Sequence, residues 1–538
     1  MKVTFVAMGT EQLPISLLSA ILKRDGHEVG LAFSASLFND RFNLEIESLG
    51  KFFDDRNEVI KAIVKQKPDV LAFSPLTSTY QWMLGIAREA KVLFPEITTV
   101  WGGVHVSAVP ERVLAKPEVD YVVVGEGEIA LPEILKRIES GYTEEPIVNT
   151  RFRAKDGRII RGVQSGFIQD LESLPAFDKS LWEEHVRIGD LWLTMASRGC
   201  PYRCTFCFNN FFAELPENKK EKGKYVRQRS VEHMMNELLE AKRKYKIKMV
   251  DFQDDVFTVN KPWLKEFLTR YKNEINLPFQ CLTHPRYIDD EVAKWLYDAG
   301  CRWIQMGVQT MDEDLKRGSL KRYESSDHIQ KALTAMNKAG LLPKVDHMFG
   351  LPNEPISAQD TAKKLYASDA CPKRIQTFWT CYLPGTEMMK DAIAAGEISP
   401  EQEERLNEGL DFYFFRNEEN IKDPEMVAKY RAYELMFRLF PIMPKSWREK
   451  MEPHHVKWLP KTPSRIVASV FDVMTGFTHN NPEFGAYAMH YIYHLYAFFA
   501  RKVGLKPRAT KVRKGYVPAP PAAKVAEYNQ HERLAEAS

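Results

Sequence analysis

Cysteine is scarce in this chain, with seven in 538 residues. Disulfide frameworks belong to small secreted chains, and this one is long and opens on no secretory signal peptide. No apolar run is long and clean enough to read as a bilayer span. Excess charge of one sign is missing too: 75 Lys and Arg stand against 72 Asp and Glu, a net charge of +3. That balance gives no reason to expect a nucleic-acid partner. We find no internal repeat. With 44% hydrophobic and 27% charged residues, the composition is that of an ordinary globular protein, expected in the cytoplasm. The length suits two or three domains.

Against that scarcity, three of the seven cysteines crowd into one loop. Cys200, Cys204 and Cys207 follow the apolar, strand-like stretch Leu191–Ser197 with the spacing C-x3-C-x2-C. A structural zinc site wants four ligands, and no fourth lies at zinc-like spacing; the next cysteine downstream is Cys281. Three thiolates on a tight loop suit three irons of a [4Fe–4S] cluster and leave the fourth iron open for a substrate. Cys281, Cys301, Cys371 and Cys381 lie on or beside predicted strands and read as buried, inert thiols.

The pattern along the chain is α/β. Residues 1–140 alternate short apolar runs with amphipathic helices: a doubly wound, Rossmann-like domain with ligand sites at the strand carboxyl ends. Residues 141–189 read as a hairpin turning at Asp156-Gly157 and a linker. Over 190–395 six strand–helix units predict a partial (βα)6, TIM-like barrel, and the cysteine loop follows its first strand, at the expected end. Residues 396–505 read as a helical carboxyl-terminal domain, and 506–538 as a basic, Pro/Ala-rich mobile tail.

The barrel and its loop resemble the radical S-adenosylmethionine superfamily. The resemblance implies that the open iron chelates the amino and carboxylate groups of S-adenosylmethionine and that the reduced cluster cleaves it to a 5′-deoxyadenosyl radical. It further implies cofactor contacts from Phe206, beside Cys207; from Gln253, Asp254 and Asp255 at the end of the second strand; and from Gln309, Gly350 and Tyr382 at later strand ends. The stretch Leu282–Arg286 carries His284 where relatives often have arginine.

The first domain resembles the cobalamin-binding domain that precedes the barrel in class B radical enzymes. The carrying residues are Gly102, Gly103 and His105 after the fourth strand and Gly125, Glu126, Gly127 and Glu128 after the fifth, with the hydroxyl-bearing stretch Ser74, Thr77 and Ser78 after the third. Many cobalamin proteins place a cobalt-ligating histidine after the first strand. Here that loop contains Thr10, Glu11 and Gln12 and no histidine, so cobalamin is expected to bind without protein histidine ligation.

The resemblance implies a cobalamin-dependent radical enzyme, with methylation of an unactivated carbon as the leading expectation. Oxidation or ring formation of the oxidative-cyclase type is one alternative, and a cobalamin-binding sensor or electron carrier is another. The expected partners are a small-molecule substrate, apolar in one reading (a lipid or tetrapyrrole), and a low-potential electron donor such as flavodoxin or ferredoxin. Residues Phe484–Ala500 carry Tyr487, Tyr491, Tyr493, Tyr496, Phe498 and Phe499 ahead of a basic run. The helix reads first as core, and alternatively as a peripheral membrane contact.

Overall fold

The computed structural model describes residues 1–40, 44–141, 143–218, 220, 222–410, 423–456 and 464–517. Two sheets organise it. In the first, β1 (Lys2–Met8), β2 (Glu28–Ser34), β3 (Val70–Phe73), β4 (Thr98–Trp101) and β5 (Tyr121–Val123) are parallel and ordered β2-β1-β3-β4-β5. Val3–Ala7 and Val70–Phe73 are buried without a break, as befits strands covered on both faces. The strand order reverses beside β1, which places a ligand crevice at the ends of β1 and β3. The predicted hairpin forms β6 (Thr150–Arg153) and β7 (Ile159–Arg161), and these extend the same sheet antiparallel to β5.

The second sheet is all parallel and curls into an open half-barrel, ordered β8 (Trp192–Thr194), β9 (Val250–Phe252), β10 (Phe279–Thr283), β11 (Cys301–Gln309), β12 (Leu342–Phe349) and β13 (Arg374–Trp379). Its outer face packs against helices such as Val231–Lys244, which buries Met234, Met235 and Leu238, and Ser326–Ala339, which is fixed by a Ser325 capping box and by Gly340 at its end. The barrel interior is polar. Gln280, Lys344 and Arg374 converge on Glu483, which reaches in from the last described helix, Pro482–Lys502.

Beyond the barrel the chain is helical. The basic segment that reads as mobile in sequence instead docks as far as it is described. Thr510 is buried with its amide on the Glu183 carbonyl, the Arg513 amide bonds the Lys244 carbonyl, and Arg508 pairs with Glu183. These backbone bonds to the linker and the barrel are not visible in a composition-based reading. Residues 518–538, where most of the Pro/Ala-rich stretch falls, lie outside the described residues.

The linker binds the two halves through buried polar groups. Lys179 pairs with Glu11 of the β1 loop, both side chains almost wholly buried, and donates to the Leu193 carbonyl of β8 at 2.6 Å. Trp182 Nε1 donates to Ser16 at 2.7 Å. Removing one partner of such a pair strands a buried charge, at about 3–5 kcal/mol, whereas removing both can be nearly neutral. Lys179→Met is therefore expected to lower stability to denaturant by about that amount, and Glu11→Gln/Lys179→Met to recover most of it. Additive losses in chemical denaturation would refute this account.

Candidate active site

Loops from the carboxyl ends of both sheets open on one cavity of about 1110 Å3. Ordinary small-molecule sites measure about 300–1000 Å3, so this space exceeds the need of a single small ligand. The first domain lines it with Thr10, Glu11 and Gln12 after β1, Ser74 and Ser78 after β3, Gly102 and Gly103 after β4, and Gly125, Glu126, Gly127 and Glu128 after β5. The barrel contributes Met195, Arg198, Gly199, Phe208, Asn209, Gln253 and Asp255, and the last helix Glu483, Tyr487, His490 and Tyr491.

Cys200, Cys204 and Cys207 are all half-buried; the wall itself is formed by the residues at either end of their loop, Gly199, Phe208 and Asn209, and not by the three thiols. Gly199 sets the loop's entry. Its φ is +85°, and a Cβ there would stand 2.3 Å from the Tyr225 carbonyl oxygen, so only glycine fits. Asn209 braces the exit: its amide donates to Asp255 at 3.1 Å and lies 3.7 Å from Cys207 Sγ, while its carbonyl accepts from the Tyr225 hydroxyl. Burial pushes the thiols up, Cys200 to about 12 and Cys207 to about 11, and neighbouring thiols add to the rise. Burial raises Cys204 as well, with Arg322 opposing it. Such burial disfavours the thiolate, and a bound cation would favour it. Among the described residues no three His, Cys, Asp or Glu side chains converge on a single metal ion. A structural zinc site wants four ligands, and the three-sulfur donor set instead fits an incompletely ligated four-iron cluster.

The upper cradle fits a flat, bulky ligand. Gly103 has φ +88°, and a Cβ would come within 2.8 Å of Ser74 Oγ, so the backbone passes close under the cavity. Ser78 Oγ is buried, borders the cavity and has no hydrogen-bond partner among the described residues, which leaves it for a ligand. These features suit a corrinoid.

Two arginines join the cradle to the cysteine loop. Ser197–Arg198 pairs antiparallel with Arg227–Gln228, which sets Arg198 and Arg227 side by side. Arg198 donates to Glu126 at 3.0 Å and to Glu128 at 2.6 Å, and Arg227 donates to Glu126 at 2.8 Å. Burial raises the Glu126 carboxyl, but Arg198 and Arg227 outweigh it and hold it below the usual range. Glu126 and Glu128 border the cavity as a clamp between domains.

Several predicted site residues lie away from the cavity wall. His105 is buried, its Nδ1 3.1 Å from Thr77 Oγ1 and its ring packed on Tyr80, and burial drives it down to about 3. Thr77 is buried as its partner. Asp254 faces the barrel wall, accepting from the Ala196 amide at 3.0 Å and from Ser197 Oγ. Phe206 packs against an apolar cluster that includes Tyr382, whose hydroxyl donates to Glu397 at 3.1 Å. The Gly350 amide bonds Glu354. Gln309 is buried at φ +63°, where the β11–β12 pairing slips.

A polar cluster beside Cys204 escaped sequence reading. Arg322 donates to Glu324 at 2.6 Å and to the Gly307 carbonyl at 2.7 Å; His284 Nε2 stands 3.3 Å from Glu324, and its ring stacks on Tyr202 at 3.9 Å. The one sequence signal was His284 itself. His490, from the aromatic helix near the end of the described chain, also borders the cavity.

Comparison with known proteins agrees in both halves. Residues 15–135 match the B12 binding domain and residues 195–365 the Radical SAM superfamily. An uncharacterised methyltransferase of Pyrococcus horikoshii is 26% identical over 407 residues, covering 73% of this chain and 83% of its own. Cytidylyl-2-hydroxyethylphosphonate methyltransferase of Streptomyces wedmorensis is 22% identical over 73% of this chain and 80% of its own. The solved structure of the cobalamin-dependent S-adenosylmethionine radical enzyme OxsB, with aqua-cobalamin and S-adenosylmethionine bound, aligns at a TM-score of 0.62. It covers 94% of this chain and 75% of its own at 15% identity, and so attests the fold.

Two outcomes follow from the geometry. Gly103→Val is expected to abolish retention of a corrinoid absorption band after desalting and to spare iron–sulfur absorbance; full corrinoid retention would contradict the cradle. Burial, with Glu483 adding, pushes Asp251 of β9 up to about 7, whereas an unfolded aspartate titrates near about 4. A raised acid binds more protons when folded, so its contribution is present below about pH 4 and lost as pH rises through about 7. Asp251→Asn should therefore gain melting temperature relative to the parent above pH 7 and show no gain near pH 4.5, as read by thermal scans. A difference that does not change with pH would refute it.

Proposed function

We propose, on the premise that this chain joins a B12-binding domain to a radical SAM domain, that it is an enzyme that methylates an unactivated carbon of a small molecule. The observation that carries the reading is the shared cavity: the glycine cradle and the two ends of the cysteine loop, Gly199 on one side and Phe208 and Asn209 on the other, line the same space. When bound, an iron–sulfur cluster supplies a low-potential electron for cleaving S-adenosylmethionine, and a corrinoid supplies a methyl carrier.

The chain's own residues position and shield. Cys200, Cys204 and Cys207 would hold the cluster, with Gly199 and Asn209 fixing the loop's entry and exit. Gln253, whose side-chain amide donates to Asp251 at 2.7 Å, and Asp255 both line the cavity and would meet the methionine amine there. Arg322 and Glu324 form a buried charged pair on the other flank of the loop, with the Arg322 guanidinium beside Cys204. Gly102, Gly103 and Ser78 would hold the corrinoid, while Thr10, Glu11 and Gln12 lie beside it without offering an imidazole. Leu17, Leu18, Trp82 and Leu131 keep much of the wall apolar, which excludes water from reactive species and favours an apolar substrate portion. An electron donor of the flavodoxin or ferredoxin kind and a reducing, cytoplasmic setting complete the reading. Among the described residues no helix is long and apolar enough to cross a membrane.

Anaerobically reconstituted protein with dithionite and deuteriomethyl S-adenosylmethionine tests it. Formation of 5′-deoxyadenosine, lost in Cys204→Ala, and label in the corrinoid methyl group and then in product are the expected results. Product without label would favour oxidative cyclisation. Absence of both cleavage and label would leave a binding or sensing protein.

A further inference from the structure

The helix Ser464–Thr478 and the helix Pro482–Lys502 form a terminal hairpin whose two sides differ sharply. The inner side of the second helix is locked in place. Glu483 enters the half-barrel and accepts from Lys344 at 2.9 Å and from Arg374 at 3.3 Å. Tyr493, His494, Ala497 and Ala500 are buried, with the His494 ring stacked 5.8 Å from Phe33. Anchors at both ends fix the helix's roll about its own axis.

The outer side is apolar and exposed. Met489, Ile492, Tyr496, Phe499 and Val503 recur at spacings of three and four, which makes one stripe. On the first helix Val470, Val473, Met474 and Phe477 do the same. Phe477 is 71% exposed, Ile492 58%, Phe499 53% and Val503 75%. Faces of this kind on a soluble fold mark interaction sites.

The surrounding charge selects the partner. Between residues 484 and 517 there are seven Lys and Arg and no Asp or Glu. Lys502, Lys506, Lys511 and Lys514 are exposed and, among the described residues, have no ion-pair partner, whereas Arg501 lies close enough to Asp55 to offset part of the rise that burial gives its carboxyl. Lys502 lies 4.4 Å from the Phe498 ring and 5.9 Å from exposed Phe52, so cations and apolar rings share one edge. We propose that this hairpin docks the enzyme on an anionic phospholipid surface, the stripe at the headgroup–acyl boundary and the cations on phosphates. A second copy fits less well, because a symmetric contact would set the cationic edge against itself. Tyr487, His490 and Tyr491 of the same helix border the cavity. Resting on the function proposed above, an amphiphile held in that lipid layer would then reach the site beside this helix.

Holoprotein floated with phosphatidylcholine vesicles, with and without about 30% phosphatidylglycerol, tests the docking without any turnover. Recovery with the anionic vesicles, at least about tenfold lower with neutral ones and reversed by about 0.5 M NaCl, is expected. Ile492→Glu/Phe499→Glu and, separately, Lys502→Glu/Lys506→Glu should each cut that recovery about tenfold at unchanged melting temperature and unchanged S-adenosylmethionine cleavage. Absence of flotation, equal recovery with neutral vesicles, or equal recovery of the variants would overturn the proposal. So would a wild-type dimer in light scattering that the Glu variants dissolve. Vesicle binding without cleavage would count against the proposed chemistry alone.

Discussion

Everything about the cavity depends on four charged side chains that tie one domain's cradle to the other's cysteine loop. Glu126 and Glu128 leave the end of β5, and Arg198 and Arg227 meet them from a two-residue antiparallel bridge beside Cys200. Buried ion pairs gain little net stability because desolvation offsets the attraction. Their value lies in direction: only one placement satisfies both carboxylates and the Ile168 amide, which donates to Glu126 at 2.9 Å. A sliding apolar contact would leave the distance between cradle and loop free. This network sets it.

The same economy of fixed polar groups recurs across the molecule. Lys179 reaches Glu11 on the first domain and a β8 carbonyl on the barrel, so the linker serves as a third strut. Glu483 fills the barrel floor that a closed barrel would pack with apolar layers. With six strands rather than eight, the half-barrel keeps an open flank. The first domain and the last helix close that flank, and the space left between them is the cavity.

Much of this architecture was legible in the residues. The runs Val3–Ala7 and Val70–Phe73 are uninterrupted because parallel strands are covered on both faces, and such runs announce themselves. The C-x3-C-x2-C spacing carried the cluster chemistry, since ligand count and loop length are local properties. Where local reading faltered, distant partners decided. Glu126 and Glu128 line the cavity as the pattern suggested, but their pairing with arginines about 70 and 100 residues onward was not written locally. His105 looked available and is instead turned onto Thr77. The 506–517 segment looked mobile by composition, yet backbone bonds to Glu183 and Lys244 hold it.

By itself the sequence determined the two domain types, the order in which they come and the three thiols, because strand periodicity, glycine placement and short ligand spacing are written within a few residues of one another. Only the tertiary structure decided that both cofactor loops share one space, that a helix some 280 residues after the cysteine loop walls it, and that this helix turns its other side to solvent. Those outcomes depend on which buried charges find partners across the fold, and pairing over such separations leaves no local trace.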